Sequence, residues 1–267
     1  MKNIIIVGVS QSGLYELSSL VQENFAQEKG YQVLGGFLNV FGDRYSMDGE
    51  STHGKLSVAN YEEGAYKRSF MLNEKSEITE FRDYGAPVMS TNSSSQELRY
   101  RIALLKSSKS PSIITLTTWE LMQIRKESAD LEREIQNLMS SSDTIAIDLE
   151  NISEVAASYV LAHETGKWVT SMNEEQSHLP GKVIAKSSTL NQFKDEVKTL
   201  RSLLRGGPSL RTVTNLEVQK GSQATRKLFG INAPKAALFS KTKYRNDVTS
   251  YISNKQELMS LSKSLEA

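Results

Sequence analysis

The sequence predicts a doubly wound α/β fold, a mainly parallel sheet covered by helices on both faces, and three observations lead there. Residues 3 to 9 (NIIIVGV) form a continuous β-branched run of the kind that a strand buried on both faces requires. Comparable runs recur at Ser112 to Thr117 and at Asp143 to Leu149. Between them lie stretches with apolar residues three and four apart, and a parallel return needs a crossover of that kind.

Taken in order, the first run is followed by Ser10-Gln11-Ser12-Gly13 and then by Leu14, Leu17, Val21 and Phe25 at helical spacing, which reads as strand, glycine turn, helix. The helix should stop near Gly30, and Val33 to Phe41 (VLGGFLNVF) reads as a second buried strand. Residues 42 to 84 differ in texture. Short strand-like runs at Lys55 to Asn60, Lys67 to Leu72 and Glu77 to Phe81 stand among loop signals and suggest an antiparallel excursion from the main sheet. Alternation resumes with a short strand at Ala86 to Ser90. Next, Ser94-x-x-Glu97 reads as a capping box opening a helix that carries Leu98, Ile102 and Leu105.

After the Ser112 strand, Thr118 to Met139 reads as the longest helix, with Leu121, Ile124, Leu131, Ile135 and Leu138 on one seam and Ser128 filling a polar gap. Ser153 to Thr165 is a helix closed by Gly166, Lys167 to Met172 a strand, and Lys182 to Lys186 a further short strand. Thr189-x-x-Gln192 caps a helix bearing Phe193, Val197, Leu200 and Leu204, which Gly206-Gly207-Pro208 stops. Residues 1 to 205 therefore read as one Rossmann-like domain. Residues 206 to 267 read as a basic C-terminal module, with candidate strands at Thr212 to Val218 and Ala236 to Ser240 and a last helix capped at Ser253-x-x-Gln256.

Charge separates the two parts. Residues 1 to 197 hold 19 Lys/Arg against 27 Asp/Glu, a net of −8, while residues 198 to 267 hold 13 against 4, a net of +9. An overall charge of +1 thus conceals an acidic body and a basic end, an asymmetry that concerns partners rather than fold. Ten cations (Arg201, Arg205, Arg211, Lys220, Arg226, Lys227, Lys235, Lys241, Lys243 and Arg245) stand against the single acid Glu217. Such a field attracts phosphates or an acidic protein surface. With only Phe229, Phe239 and Tyr244 among them, a base-stacking platform is not indicated.

Several chemistries are excluded at the outset. The chain has no cysteine, hence no disulfide, thiolate nucleophile or Cys-ligated metal, and its three histidines, His53, His163 and His178, are scattered. The apolar run Ile4 to Gly8 is too short for a secretory leader, and no stretch of about 18 apolar residues occurs, so a soluble cytoplasmic protein is expected.

In a doubly wound sheet, ligands gather beyond the carboxyl ends of the strands. The first such place is Gly8 to Gly13, where Gly8, Ser10, Ser12 and Gly13 have the spacing of a phosphate-binding loop leaving a strand and entering a helix. Leu14 and Tyr15 occupy the positions at which a nucleotide-hydrolysing loop needs Lys and Ser/Thr, so phosphate charge and magnesium both go uncompensated. A plain structural turn and a pocket for a nucleotide or another anion stand side by side as readings. The second place is Asp148 with Glu150, where an acid ends a buried strand as a magnesium-holding carboxylate would. Thr115, Thr117 and Thr118 end another strand and bring hydroxyls; Trp119 and Trp168 flank strands as packing residues.

Residues Ile145 to Val197, about a fifth of the chain, resemble the central part of ribokinase-like sugar kinases, which run strand, acid, helix, small-residue strand and Asn-containing turn. The matching pieces are Leu149-Glu150, the helix to Gly166, and Leu190-Asn191, with Gly35-Gly36-Phe37-Leu38-Asn39 standing for the paired-glycine sugar motif. The resemblance implies phosphoryl transfer, whereas that family's Gly-Ala-Gly-Asp anion hole and catalytic aspartate are absent downstream.

The function expected from these residues is a non-catalytic interaction or assembly protein whose basic module contacts an acidic surface or a neighbouring copy, head to tail. The alternatives are a protein that binds the nucleic-acid backbone, and a divergent nucleotide-hydrolysing enzyme or sugar-kinase relative.

Overall fold

The structure is a computed structural model, and it describes residues 2–14, 17, 21, 30–38, 40–41, 70–72, 78–81, 94–165, 182–206, 210–219 and 248–266. Five strands form one sheet: β1 (Ile4–Gly8), β2 (Gln32–Gly35), β5 (Ser112–Thr117), β6 (Asp143–Asp148) and β7 (Arg211–Thr214). Their spatial order is β2-β5-β1-β6-β7, and every neighbouring pair is parallel. Two further strands, β3 (Phe70–Leu72) and β4 (Ile78–Phe81), pair antiparallel with each other as a separate two-stranded sheet. The rest of residues 42–84, where an excursion is expected, the strand expected at Ala86 to Ser90, and those at Lys167 to Met172 and Ala236 to Ser240 lie outside the described residues.

The period of two along β1 explains why the sheet is covered on both sides. Ile5 and Val7 enter one apolar cluster with Ile114 and Leu116 of β5, while Ile4 and Ile6 enter another with Ile113, Ile145 and Ile147. The first cluster is closed by helices α1 (Ser94–Ser107), α2 (Thr118–Glu127) and α3 (Ala129–Ser141), and the second by Leu14, Leu17 and Val21 of the helix that follows β1. A third cluster joins Val9 and Ala146 to helices α4 (Ile152–Thr165) and α5 (Ser187–Gly206).

Local chemistry moves several expected boundaries. β2 ends at Gly35, well short of Phe41, because its pairing with β5 slips between Val33 and Gly35 and the chain then turns through Gly36 to Leu38. Phe37 and Leu38 are buried from that turn, and Val40 and Phe41 from helical backbone after it, not from a strand. The long helix expected over Thr118 to Met139 breaks at Ser128, whose backbone is extended at φ −167°. Its N–H donates to the Ile124 carbonyl, ending α2, while its Oγ accepts from the Asp130 N–H at 3.2 Å, opening α3.

Glu97 does not serve a capping box: it is buried and paired with Arg101 one turn on, at 3.1 Å. Asn151, not Ser153, opens α4, its Oδ1 accepting from the Glu154 N–H. The expected strand at Lys182 to Lys186 reduces to one parallel bridge between Val183 and Ile252. The run Thr212 to Val218 is strand only to Thr214. There, Thr214 Oγ1 accepts from the Glu217 N–H at 3.2 Å and Glu217 Oε2 accepts from the Thr214 N–H at 2.8 Å, a reciprocal capping box that opens the short helix α6 (Asn215–Gln219).

Among the described residues, elements on both sides of residue 206 share one sheet and one apolar cluster. β7 extends the main sheet on β6. Helix α7 (Lys255–Glu266) and the 3₁₀ turn Val248–Tyr251 place Leu258, Leu265 and Val248 in the same cluster as α4 and α5. The Asn254 side chain fastens this end, accepting from the Ala185 N–H at 2.8 Å and donating to the Ala185 carbonyl at 2.9 Å.

Candidate functional site

β1 lies at the middle of the sheet, where crossovers depart to either side, so the loop beyond its carboxyl end is the place a doubly wound fold offers to a ligand. Gly8 pairs in register with Thr117 of β5, which sets the β1 loop beside the start of α2. The loop folds back at once: the Ser12 N–H donates to the Val9 carbonyl at 3.0 Å, and Gln11 and Gly13 take φ values of +69° and +103°. Gly13 suits that left-handed backbone, whereas Gln11 tolerates it at some cost. Ser12 is fully buried, and its Oγ lies so near Gly8 that a β-carbon there would sit 2.6 Å from it. The space between the two glycines is therefore filled by the loop's own serine.

The outer side of the loop is also occupied. Glu196, from the middle of α5, is fully buried. Its Oε2 accepts from the Ser10 N–H at 3.3 Å, from Ser10 Oγ at 3.4 Å and from Thr118 Oγ1 at 3.0 Å. Its Oε1 accepts from the Tyr159 hydroxyl of α4 at 2.7 Å. Three segments remote in sequence thus converge on one carboxylate of a fourth, which takes an N–H of the loop that an external anion would seek. Burial pushes the Glu196 carboxyl up from the usual carboxylate range, and hydrogen bonds from Tyr159, Ser10 and Thr118 pull the other way. Tyr159 is shifted well upward by burial first, then by the Glu196 charge.

Of the residues singled out from sequence, Gly8, Ser10, Ser12 and Gly13 come together in this loop, and Thr118 joins them through Glu196. Glu196 and Tyr159 escaped sequence reading. The available signal was an acid on the apolar stripe of α5, between Phe193 and Val197. Asp148 and Glu150 are exposed; Asp148 Oδ1 accepts from the N–H of its own neighbour Leu149, and the Glu150 N–H donates to Asn215 Oδ1. Asp148 thus spends a carboxylate oxygen on local capping. Leu14, where a nucleotide loop would carry lysine, is buried in the cluster beneath the sheet.

His163 is half-buried on α4 with its ring 4.8 Å from that of Tyr159, and burial lowers its pKa to about 4, keeping the imidazole neutral near pH 7. His53, His178 and Trp168 lie outside the described residues. Trp119 packs partly buried against the α1–α3 cluster. Among the described residues, no group of three His, Cys, Asp or Glu side chains is placed to hold a metal ion. No helix there is long and apolar enough to cross a membrane.

Three of the ten cations are described. Arg211 is engaged within the chain, donating through both Nε and Nη2 to the Asp143 carboxylate, so it is not a free contact for a partner. Arg201 is half-buried and Arg205 exposed near the end of α5. Lys220, Arg226, Lys227, Lys235, Lys241, Lys243 and Arg245 lie outside the described residues.

The sugar-kinase resemblance loses a piece in three dimensions, because Leu190 and Asn191 lie inside α5 and form no strand and turn. In comparison with known proteins, no family model matches the chain, and no curated protein does.

Proposed function

We propose that this chain is a non-catalytic interaction protein, a Rossmann-like body that presents a cationic C-terminal quarter to an anionic macromolecular partner. The observation that carries this reading is the closure of the Gly8 to Gly13 loop by Glu196. The most ligand-like place in the sheet is held by an internal carboxyl group, and a nucleotide phosphate brought there would find the Ser10 N–H already taken. The loop then works as a fastening between β1, α2, α4 and α5. What remains for function is the surface, where the −8 body and the +9 end differ most from an average chain.

An acidic protein surface, including that of a neighbouring copy, is one partner such an end would suit. A nucleic-acid backbone is the other, and a specific observation favours it. Three acids of α3 are already engaged: Glu132 by Arg125, Asp130 by Arg133 and Glu134 by Arg99. A second copy therefore offers few unpaired carboxylates on that face.

The test uses the whole chain on heparin resin, with light scattering at low and high salt. Retention that fails as salt rises, without ATP or GTP turnover, is the expected result. Passage through the resin at low salt, or turnover abolished by Asp148→Ala, overturns the proposal.

A further inference from the structure

Helix α5 carries Lys194, Lys198, Arg201 and Arg205 at intervals of four, three and four residues, which sets all four on one flank of the helix. At 1.5 Å per residue the stripe runs about 16 Å, one cation for each turn. The core fixes how the helix is rotated, since Phe193, Glu196, Val197 and Leu200 are buried on its other side. Lys198 and Arg205 consequently stand exposed, with Lys194 and Arg201 half-buried beside them.

The pairing of arginines makes this stripe unlike the rest of the surface. Seven arginines fall among the described residues, and Arg99, Arg101, Arg125, Arg133 and Arg211 each hold a carboxylate. Arg201 and Arg205 hold none. Lys198 approaches Asp195 only to 3.9 Å, with both side chains exposed, a contact worth little in water. The positive charge of the stripe is therefore left for something outside the described chain.

We propose that this flank of α5 docks the phosphate backbone of a nucleic acid, without reading its sequence. The proposal rests on the reading above that the partner is anionic, and it names the class. Two observations favour phosphate over a protein surface. Protein interfaces are centred on apolar anchors, yet Ile184 is the one exposed large hydrophobic side chain among the described residues, and it lies outside α5. Backbone binding needs no such anchor, only cations that follow the strand, with arginine's fork suited to phosphate oxygens. Composition supplies the second. Beyond α5, residues 220 to 245 add Lys220, Arg226, Lys227, Lys235, Lys241, Lys243 and Arg245 with no acid among them.

The experiment measures binding of the full chain to a fluorescein-labelled mixed-sequence oligonucleotide, single-stranded and duplex, across a salt series. The variant Lys194→Gln/Lys198→Gln/Arg201→Gln/Arg205→Gln is compared, with poly-glutamate as a polyanion lacking phosphate. Four phosphate contacts make duplex affinity fall about 10²-fold between about 50 and 200 mM salt, and their removal lowers the slope of log K against log salt by about 3 to 4. The double variant Arg201→Gln/Arg205→Gln loses about half of that slope, and thermal melts confirm that either variant is folded.

Binding of poly-glutamate as tightly as the oligonucleotide overturns the proposal in favour of an acidic protein partner. Wild-type affinity in the quadruple variant overturns the stripe, while salt-sensitive retention on heparin would then leave the anionic-partner reading intact. If the wild-type chain binds neither polyanion, both readings fall.

Discussion

The Ser10 N–H of the β1 loop and the Glu196 carboxylate of α5 meet at 3.3 Å across 186 residues of sequence. This contact ties the carboxyl end of the central strand to a helix on the far side of the chain, with Thr118 and Tyr159 hydrogen-bonded to the same side chain. Glu196→Ala leaves the Tyr159 and Thr118 hydroxyls and the Ser10 N–H without their acceptor in a buried place, and should destabilise the fold by about 2–4 kcal/mol. Tyr159→Phe removes one donor while keeping the ring against Phe193, and should cost about 1 kcal/mol. Urea denaturation of both variants checks the order; equal losses would mean that the carboxylate is not the hub.

The same residue and His163 should give opposite pH slopes. Burial raises the folded-state pKa of Glu196, so its contribution to stability is complete below the unfolded carboxylate value and is lost as pH rises through the folded one. His163 is lowered to about 4, so the unfolded chain binds its proton first. Its contribution is present above the unfolded value near 6.5 and is lost as pH falls toward about 4. Between those values the two groups should push the stability of the wild type in opposite directions. His163→Gln should expose a decline with rising pH, and Glu196→Gln an increase.

Arg101 and Glu97 form a buried pair on α1, and Arg101 Nη1 also donates to the Phe37 carbonyl at 2.6 Å with its guanidinium 5.4 Å from the centre of the Phe37 ring. The pair thereby anchors the turn that ends β2. Arg101→Ala leaves the Glu97 charge buried alone and should cost about 3–5 kcal/mol, while Arg101→Met with Glu97→Leu should recover much of it. A double-mutant cycle in guanidinium measures the difference; recovery absent in the double variant would place the loss in the Phe37 contact instead.

What sequence could reveal follows from how far each interaction reaches. β1, β5 and β6 are buried on both faces, so their apolar runs mark them without knowledge of partners. The break at Ser128 depended on a cap that competes with helix continuation, and periodicity alone runs through it because Ile124, Leu131 and Ile135 remain in phase across the gap. At Thr214 to Glu217 the capping box was written in the chain, but the β-branched and apolar run of Thr212, Val213, Thr214, Leu216 and Val218 masked it. Glu196 was hidden for a deeper reason. Its partners lie 186, 78 and 37 residues away, so nothing local distinguishes it from an ordinary helical acid except its place on the buried face. The stripe on α5 was partly visible: Lys198, Arg201 and Arg205 counted toward a basic end, whereas Lys194 fell on the acidic side of a division drawn by charge rather than by helix face.

Gly8 and Ser12 provide the sharpest test of the loop. An added β-carbon at Gly8 would lie 2.6 Å from Ser12 Oγ and 3.3 Å from the Ile147 β-carbon, and Ser12 is itself fully buried. Gly8→Ala should therefore destabilise by about 1–3 kcal/mol through overpacking. Removing the hydroxymethyl with Ser12→Gly relieves the shorter contact and leaves only the one to Ile147, at which a few tenths of an ångström suffice. The double variant Gly8→Ala/Ser12→Gly should then be more stable than the sum of the single losses implies, with a coupling of about 1 kcal/mol. Additive losses in thermal or urea unfolding would mean that the serine does not fill the loop as the geometry has it, and that Gly8 is required by its neighbour on β6 instead.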